Sequence, residues 1–227
     1  MSSSKPSIVF AHGIWADGSC FNKVIPTLLA EGYEAISTQY GLDTNVEDVA
    51  ATLRTLGRVS SPAILVGHSY GGSVITAAGT DDRVVGLVYI CALGPDETET
   101  SQGQQDKFPK TDVFGQVEVA DGRVWMLPGG AKYFCGDLSE ADQKLVYATH
   151  FAPAADLFLH NAPGVAWRTK PSWAIVGAND HTVNPDLERA SAKRMGATTY
   201  ELDSSHVPML SQPDRVLEVI RAAASGI

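Results

Sequence analysis

Short apolar runs punctuate the chain at 7–11, 34–38, 63–66, 84–91, 172–176 and 198–202, and the stretches between them carry apolar positions at intervals of three and four. Runs this short, with little alternation, have the pattern of strands covered on both faces, whereas the spacing of three and four belongs to amphipathic helices. Strand and helix alternating in this way predict an α/β fold: a mostly parallel sheet of about six strands flanked by helices.

The helix ends agree with that reading. Thr44 and Glu47 form the pattern of a capping box, in which a side-chain oxygen meets an orphan amide and a glutamate reaches back. Val46, Val49, Leu53 and Leu56 then recur as one apolar face, and Gly57 closes the run. Asn184 and Pro185 open a further helix with Glu188 in its first turn and Gly196 just past its end. Pro213 and Asp214 open the last helix, with Val216, Val219, Ile220 and Ala223 as its buried stripe.

One region breaks the rhythm. From 95 to 170 the chain opens with a polar stretch and continues with scattered aromatics, without a repeat or a low-complexity tract. Its place between two core strands predicts a helical cap inserted over the sheet, so that 1–94 and 171–227 form the core and 95–170 the cap. Half of the chain's aromatic side chains fall there. They either build the insertion's own small core or line an apolar substrate pocket, and for such a pocket Trp15, Trp125 and Phe134 are the candidates.

Composition narrows the classes of function. The chain of 227 residues is long enough for one domain with a sizeable core, and 44% hydrophobic with 19% charged residues is ordinary for a globular protein. A net charge of −9 speaks against nucleic acid or an anionic membrane surface as the main partner. The polar opening 1–7 leads into an apolar run too short for a signal peptide, and no stretch elsewhere reaches the length of a membrane span. Cys20, Cys91 and Cys135 show neither disulfide nor zinc spacing and read as buried thiols in a reducing cytoplasm. Neither HExxH nor GxGxxG nor a phosphate loop occurs, so no metal or nucleotide is expected.

The chemistry gathers at three places. Gly67-His68-Ser69-Tyr70-Gly71 matches GxSxG, follows the apolar run at 63–66 and precedes a helix of small residues. That setting forces a serine onto a tight turn with its hydroxyl above the sheet, and Gly67 and Gly71 leave room for the strand and helix to pack. A serine needs a base to take its proton. His206, between the last strand and the last helix, lies where loops at the carboxyl ends of strands converge. Of the other histidines, His12 lies in the turn after the first strand, His68 sits in the elbow pointing away from Ser69, His150 and His160 belong to the cap, and His181 follows Asp180 too closely to be its partner. The acid that orients His206 is Asp180, after the strand at 172–176, with Asp96 as the competing choice; Asp203 is too close to His206 in sequence. The backbone N–H groups of Tyr70 and Ile14 are the expected donors to a tetrahedral oxyanion.

Taken together, the His12-Gly13-Ile14-Trp15 turn, the GHSYGG elbow, the aspartate after a late strand and the closing Ser205-His206-Val207-Pro208-Met209-Leu210-Ser211-Gln212-Pro213 resemble the α/β-hydrolase superfamily. Within it the chain is similar to small bacterial hydrolases akin to plant methyl esterases and hydroxynitrile lyases. The resemblance implies a cofactor-free hydrolase with a serine nucleophile, a helical cap over the pocket, and loss of the antiparallel strands that open larger members. Val207 stands where hydroxynitrile lyases of this branch carry lysine, which points away from a lyase, and Ile14 is larger than the residue common in the plant esterases.

The expectation is therefore hydrolysis of a small to medium carboxylic ester through an acyl-enzyme, with no partner beyond that small molecule. The same triad would serve a lactonase, a C–C bond hydrolase or a perhydrolase, and a ligand-binding protein on a hydrolase scaffold is the non-enzymatic alternative. The oligomeric state, a homodimer included, is left open.

Overall fold

A computed structural model describes residues 5–60 and 62–227; the first four residues of the opening stretch read above lie outside it. The chain runs through β1 (Ser7–Ala11), α1 (Ile25–Ala30), β2 (Ala35–Ser37), α2 (Asn45–Leu56), β3 (Ala63–His68), α3 (Gly71–Ala78) and β4 (Val84–Ile90). It continues through α4 (Ser101–Gln105), β5 (Val117–Ala120), β6 (Arg123–Met126), α5 (Ala131–Phe134) and α6 (Glu140–Thr149). It closes with β7 (Ser172–Gly177), α7 (Pro185–Met195), β8 (Thr198–Leu202), α8 (Pro208–Ser211) and α9 (Pro213–Ser225).

Six strands form one sheet in the order β2-β1-β3-β4-β7-β8, and every pairing is parallel. The residues of β1, β3 and β7 are all buried, which is why they read as unbroken apolar runs, while β8 at the edge exposes most of its residues. After β1 the chain steps outward to β2, then crosses back to place β3 on the other side of β1. Loops leaving the carboxyl ends of β1 and β3 therefore diverge and open a crevice between them, the usual place for a ligand in a sheet of this kind.

All six strands of this sheet fall within 1–94 and 171–227. The interposed segment is more than helical, for β5 and β6 form an antiparallel hairpin beside α4, α5 and α6. Asp121 and Gly122 hold φ of 51° and 73° in its two-residue turn, the left-handed pair that matches the twist of a tight hairpin. No described helix is long and apolar enough to cross a membrane.

Two helix readings change in detail. In α2 the Thr44 side chain accepts from the Glu47 N–H at 3.2 Å, but Glu47 takes the Thr44 hydroxyl at 3.1 Å instead of reaching the backbone. Its Val46 is 60% exposed, and the buried face is turned to include Asn45, Asp48 and Thr52. The polar pair Asn45 and Asp48 wins burial because both bond the Tyr70 hydroxyl, at 3.1 and 2.8 Å. The ends of α7 are as expected: Asn184 Oδ1 accepts from the Asp186 N–H at 2.9 Å, and Gly196 closes the helix at φ 64°.

Removing that N-cap with Asn184→Ala should cost about 1 kcal/mol, and Gly196→Ala about the same because a Cβ is strained in the left-handed region. Urea denaturation of each variant checks both values; an unchanged midpoint would contradict the capping geometry.

Candidate active site

The β3–α3 junction makes the turn predicted for GxSxG. Ser69 sits at φ 55°, a conformation that strains any residue with a side chain, and is 3% exposed. The turn is held on both sides, by the Ser69 N–H donating to Ile90 O at 3.0 Å and by Ser69 O accepting from the Leu93 N–H at 3.1 Å. Glycine is required around it: a Cβ on Gly67 would lie 2.6 Å from Gly71 O, and one on Gly71 would lie 2.2 Å from Ala11 O.

His206 is fully buried in the loop after β8, and its Nδ1 bonds Asp180 Oδ2 at 2.5 Å. The other oxygen of Asp180 accepts from the Thr182 and Val183 N–H groups at 2.6 and 2.9 Å, so the carboxylate is fixed from both ends. Nε2 of His206, the nitrogen a base would use, is buried without a hydrogen-bond partner among the described residues. The loop itself is pinned from the inserted segment. Asp137 accepts from the Ser205 N–H at 3.0 Å and from the Ser205 hydroxyl. From the elbow, His68 Nε2 bonds His206 O at 2.8 Å, and the two imidazole rings lie 4.7 Å apart. Phe134 covers the other side, its ring 5.1 Å from that of His206. Burial holds the imidazole of His68 well below its ordinary pKa of 6.5, so it stays neutral and bonds without adding a charge beside His206.

The loop after β1 closes directly over the serine. A Cβ on Gly13 would lie 2.7 Å from Ser69 Cβ, so the loop packs directly against the turn one residue before Ile14. Among the loop and turn hydrogen bonds none is donated by the Ile14 or Tyr70 N–H. Both are thus free for an oxyanion. Tyr70 is locked in place by Asn45 and Asp48 through its hydroxyl, and its ring stacks 5.6 Å from Phe158. Burial pushes the Asp48 carboxyl up to about 6.

The competing candidates lie elsewhere. Asp96 is paired with Arg168 at 2.6 Å, and Asp203 accepts from the Asn179 side-chain amide. His12 stacks on Tyr40, His150 bonds Tyr147 O, and His181 bonds Asp112 at 2.7 Å on the surface. Cys91 and Cys135 are buried and Cys20 is half-buried, all three as free thiols.

Two cavities meet at Trp15, whose Nε1 donates to Val124 O at 2.9 Å; both flank the Ser69–His206 site without being lined by either residue. One lies on the oxyanion side between Ile14, Phe114, Val124 and Phe158. The other lies on the His206 side between Phe134, Leu145, Val207 and Leu210, with Asp17, Lys23 and Asp142 also on its wall. Trp125 lines neither: its ring is 39% exposed, packs edge-on to His150, and its Nε1 reaches Ala120 O within the hairpin. It sits opposite Glu118 on a hairpin whose outer face meets solvent, so the expectation that it lines the pocket is corrected.

Three contributors escaped the sequence reading. Asp137 and the ring of His68 depend on tertiary contacts that no local pattern reveals. Glu188 was legible in part, since it shares a helical face with Leu187, Ser191 and Ala192, all buried. Its carboxyl lies behind Asp180, and oxygens of both lie within 4.8 Å of each other and of Cys91 Sγ. Among the described residues this is the one group of three donor atoms close enough together to hold a metal. Asp180 is already engaged by His206 and two amides, however, and burial pushes the Cys91 thiol far up, so the group reads as a carboxyl pair behind the site.

A family model described as the alpha/beta hydrolase family matches residues 8–219. An alpha/beta hydrolase of Aspergillus novofumigatus is 24% identical over 97% of both chains. A pyrethroid hydrolase of Sphingobium wenxiniae is 25% identical over 94% of this chain and 85% of its own. The crystal structure of polyneuridine aldehyde esterase superimposes with a TM-score of 0.81 at 16% identity, covering 96% of this chain and 99% of that one.

Burial also sets a pH dependence of stability. Because His12 and His68 titrate below 6.5 when folded, the unfolded chain takes up protons that the folded chain refuses, and stability falls as the pH drops below 6.5. Asp48, raised from 3.8 to about 6, acts in the opposite sense between those values. The urea midpoint should therefore fall less between pH 7 and pH 5 in His68→Gln than in wild type; an equal fall would contradict a neutral His68.

Proposed function

The chain belongs to the alpha/beta hydrolase family, and from that premise we propose that it is a serine esterase acting on small to medium carboxylic esters through an acyl-enzyme. The observation that carries this reading is the pairing of a left-handed Ser69 at the head of α3 with a buried His206 whose Nδ1 is committed to Asp180 and whose Nε2 is free. The hydrolase and esterase among its relatives and structural neighbours point the same way.

Ser69 Oγ attacks the ester carbonyl carbon while its proton passes to His206 Nε2. Asp180 keeps the proton on Nδ1 and stabilises the imidazolium. The carbonyl oxygen, now negative, rests on the N–H groups of Ile14 and Tyr70, at the amino end of α3 where the helix dipole also favours it. As the carbonyl re-forms, the C–O bond breaks and His206 gives its proton to the departing alcohol. Water, deprotonated by His206, then attacks the acyl-enzyme, and Ser69 recovers its proton. Near-complete burial of Ser69 and His206 keeps bulk water from weakening these charges.

The two cavities fit the two halves of an ester. His206 must reach the departing oxygen, so the alcohol lies on the side of Phe134, Leu145 and Val207, and the acyl chain extends into the space between Ile14, Phe114 and Phe158. The acyl-side lining is almost wholly apolar, which favours an uncharged acyl group, whereas Asp17, Lys23 and Asp142 share the wall of the alcohol-side cavity and leave room for a polar alcohol.

Hydrolysis of p-nitrophenyl esters from acetate to octanoate tests the reading. Ser69→Ala should lower kcat by at least about 10⁴-fold while the fold is kept, and wild-type kcat/KM should fall on the acid side as His206 protonates. Residual activity in Ser69→Ala near that of wild type, or a flat acid limb, would sink it. Phe158→Ala should shift the optimum toward longer acyl chains with little change in alcohol preference; a shift in alcohol preference instead would reverse the assignment of the cavities.

A further inference from the structure

Glu188 is a fully formed ionisable group that the reaction above does not use. It lies in the first turn of α7, is 3% exposed, and its Oε2 accepts from the Gly177 N–H at 2.9 Å. Its Oε1 is buried and has no hydrogen-bond partner among the described residues, and the carboxyl lies within 4.8 Å of an Asp180 carboxylate oxygen. Two carboxyl groups in contact inside a protein cannot both be ionised, and one proton is shared between them.

A count of donors decides which of the two carries it. Asp180 receives three N–H donors, from His206, Thr182 and Val183, and each favours its charged form. Glu188 receives one, from Gly177. We infer that Glu188 is a neutral carboxylic acid whose Oε1–H donates to Asp180, making it a positioning residue that extends the chain Ser69–His206–Asp180 by one member. Burial and the adjacent Asp180 charge also push the Glu188 carboxyl well above its usual range. The other groups facing it are the Cys91 thiol from the end of β4, itself driven toward the neutral form, and Arg189 on its own helix, which is turned outward to Glu201 and Asp186.

The proton has a consequence for catalysis. As a donor, Glu188 fixes the rotation of the Asp180 carboxylate and draws off part of its charge. As a carboxylate it would place a second negative charge behind His206, raise the basicity of the imidazole and weaken the orientation of Asp180. The role in turnover rests on the esterase reading; the proton itself does not.

Two variants and one spectroscopic readout test it. Infrared spectra of the full-length protein at pH 7 should contain a protonated-carboxyl C=O band that disappears in Glu188→Gln. That measurement needs no turnover, so it stands apart from any failure of Ser69→Ala to abolish activity. In kinetics with p-nitrophenyl acetate, Glu188→Gln keeps a neutral donor to Asp180 and an acceptor for Gly177. It should lose about threefold in kcat with the acid limb of kcat/KM unmoved, whereas Glu188→Leu should lose about thirtyfold at little-changed KM. Three results would overturn the inference: absence of the band from wild type, an acid limb in Glu188→Gln lowered by half a pH unit or more, or wild-type kcat in a folded Glu188→Leu. Should Glu188→Leu fail to fold, the infrared band and the Glu188→Gln profile still decide.

Discussion

A serine at φ 55°, wedged between a strand and a helix that are both wholly buried, is the constraint on which the rest of this molecule depends. The left-handed conformation costs a non-glycine residue about 1 kcal/mol, and it persists because the packing around it leaves no alternative. Three adjacent strands share the pattern. Trp15 after β1, Ser69 after β3 and Cys91 after β4 all hold positive φ at the carboxyl edge of the sheet. Strain is thus collected on one rim and offset by the hydrophobic burial of the strands beneath it. The rim that carries the strain is also the rim where the chain diverges after β1 and β3, so a crevice and the strained Ser69 arrive together.

The second organising fact is how buried charge is handled. Two carboxyls, two imidazoles in contact and a phenol bonded to a carboxyl lie in or just behind the site, nearly all hidden from water. Left unpaired, each would cost several kcal/mol. Each instead meets a specific partner: Asp180 meets His206 and two amides, His68 meets the backbone of His206, and Asp48 meets Tyr70. The same bonds that satisfy these groups set their orientation. Three atoms of this group, His206 Nε2, His68 Nδ1 and Glu188 Oε1, are buried without a partner among the described residues, and in the proposed reaction it is His206 Nε2 that takes up a proton. Asp137 and Trp15 extend the network into the inserted segment, so the cover over the sheet is bonded to the groups it covers.

Much of this was legible in the chain itself. Parallel strands buried on both faces read as apolar runs, so all six were found, with ends displaced by at most two residues. Asp180 and His206 were legible because both follow strands and the carboxyl ends of strands meet. The hairpin at 117–126 was missed although Asp121-Gly122 between two β-prone runs is its usual signal, because the region was read as helical cap throughout. Val46 misled because apolar spacing identifies a helix but not its rotation when a polar pair such as Asn45 and Asp48 has a buried partner to reach. Asp137 and Trp125 lay beyond reach for a different reason: in the inserted segment short elements are placed by contacts distant in sequence, and periodicity carries no record of them.

The central claim is that Ser69 is the nucleophile activated by His206. The most direct test is covalent: treat the protein with an aryl alkylphosphonate, whose tetrahedral phosphorus mimics the attacked carbonyl, then digest and locate the adduct by mass spectrometry. One phosphonyl group per chain is expected, attached to Ser69, formed with loss of ester hydrolysis and far more slowly in His206→Gln. An adduct on another residue, or full esterase activity in protein labelled at Ser69, would contradict it.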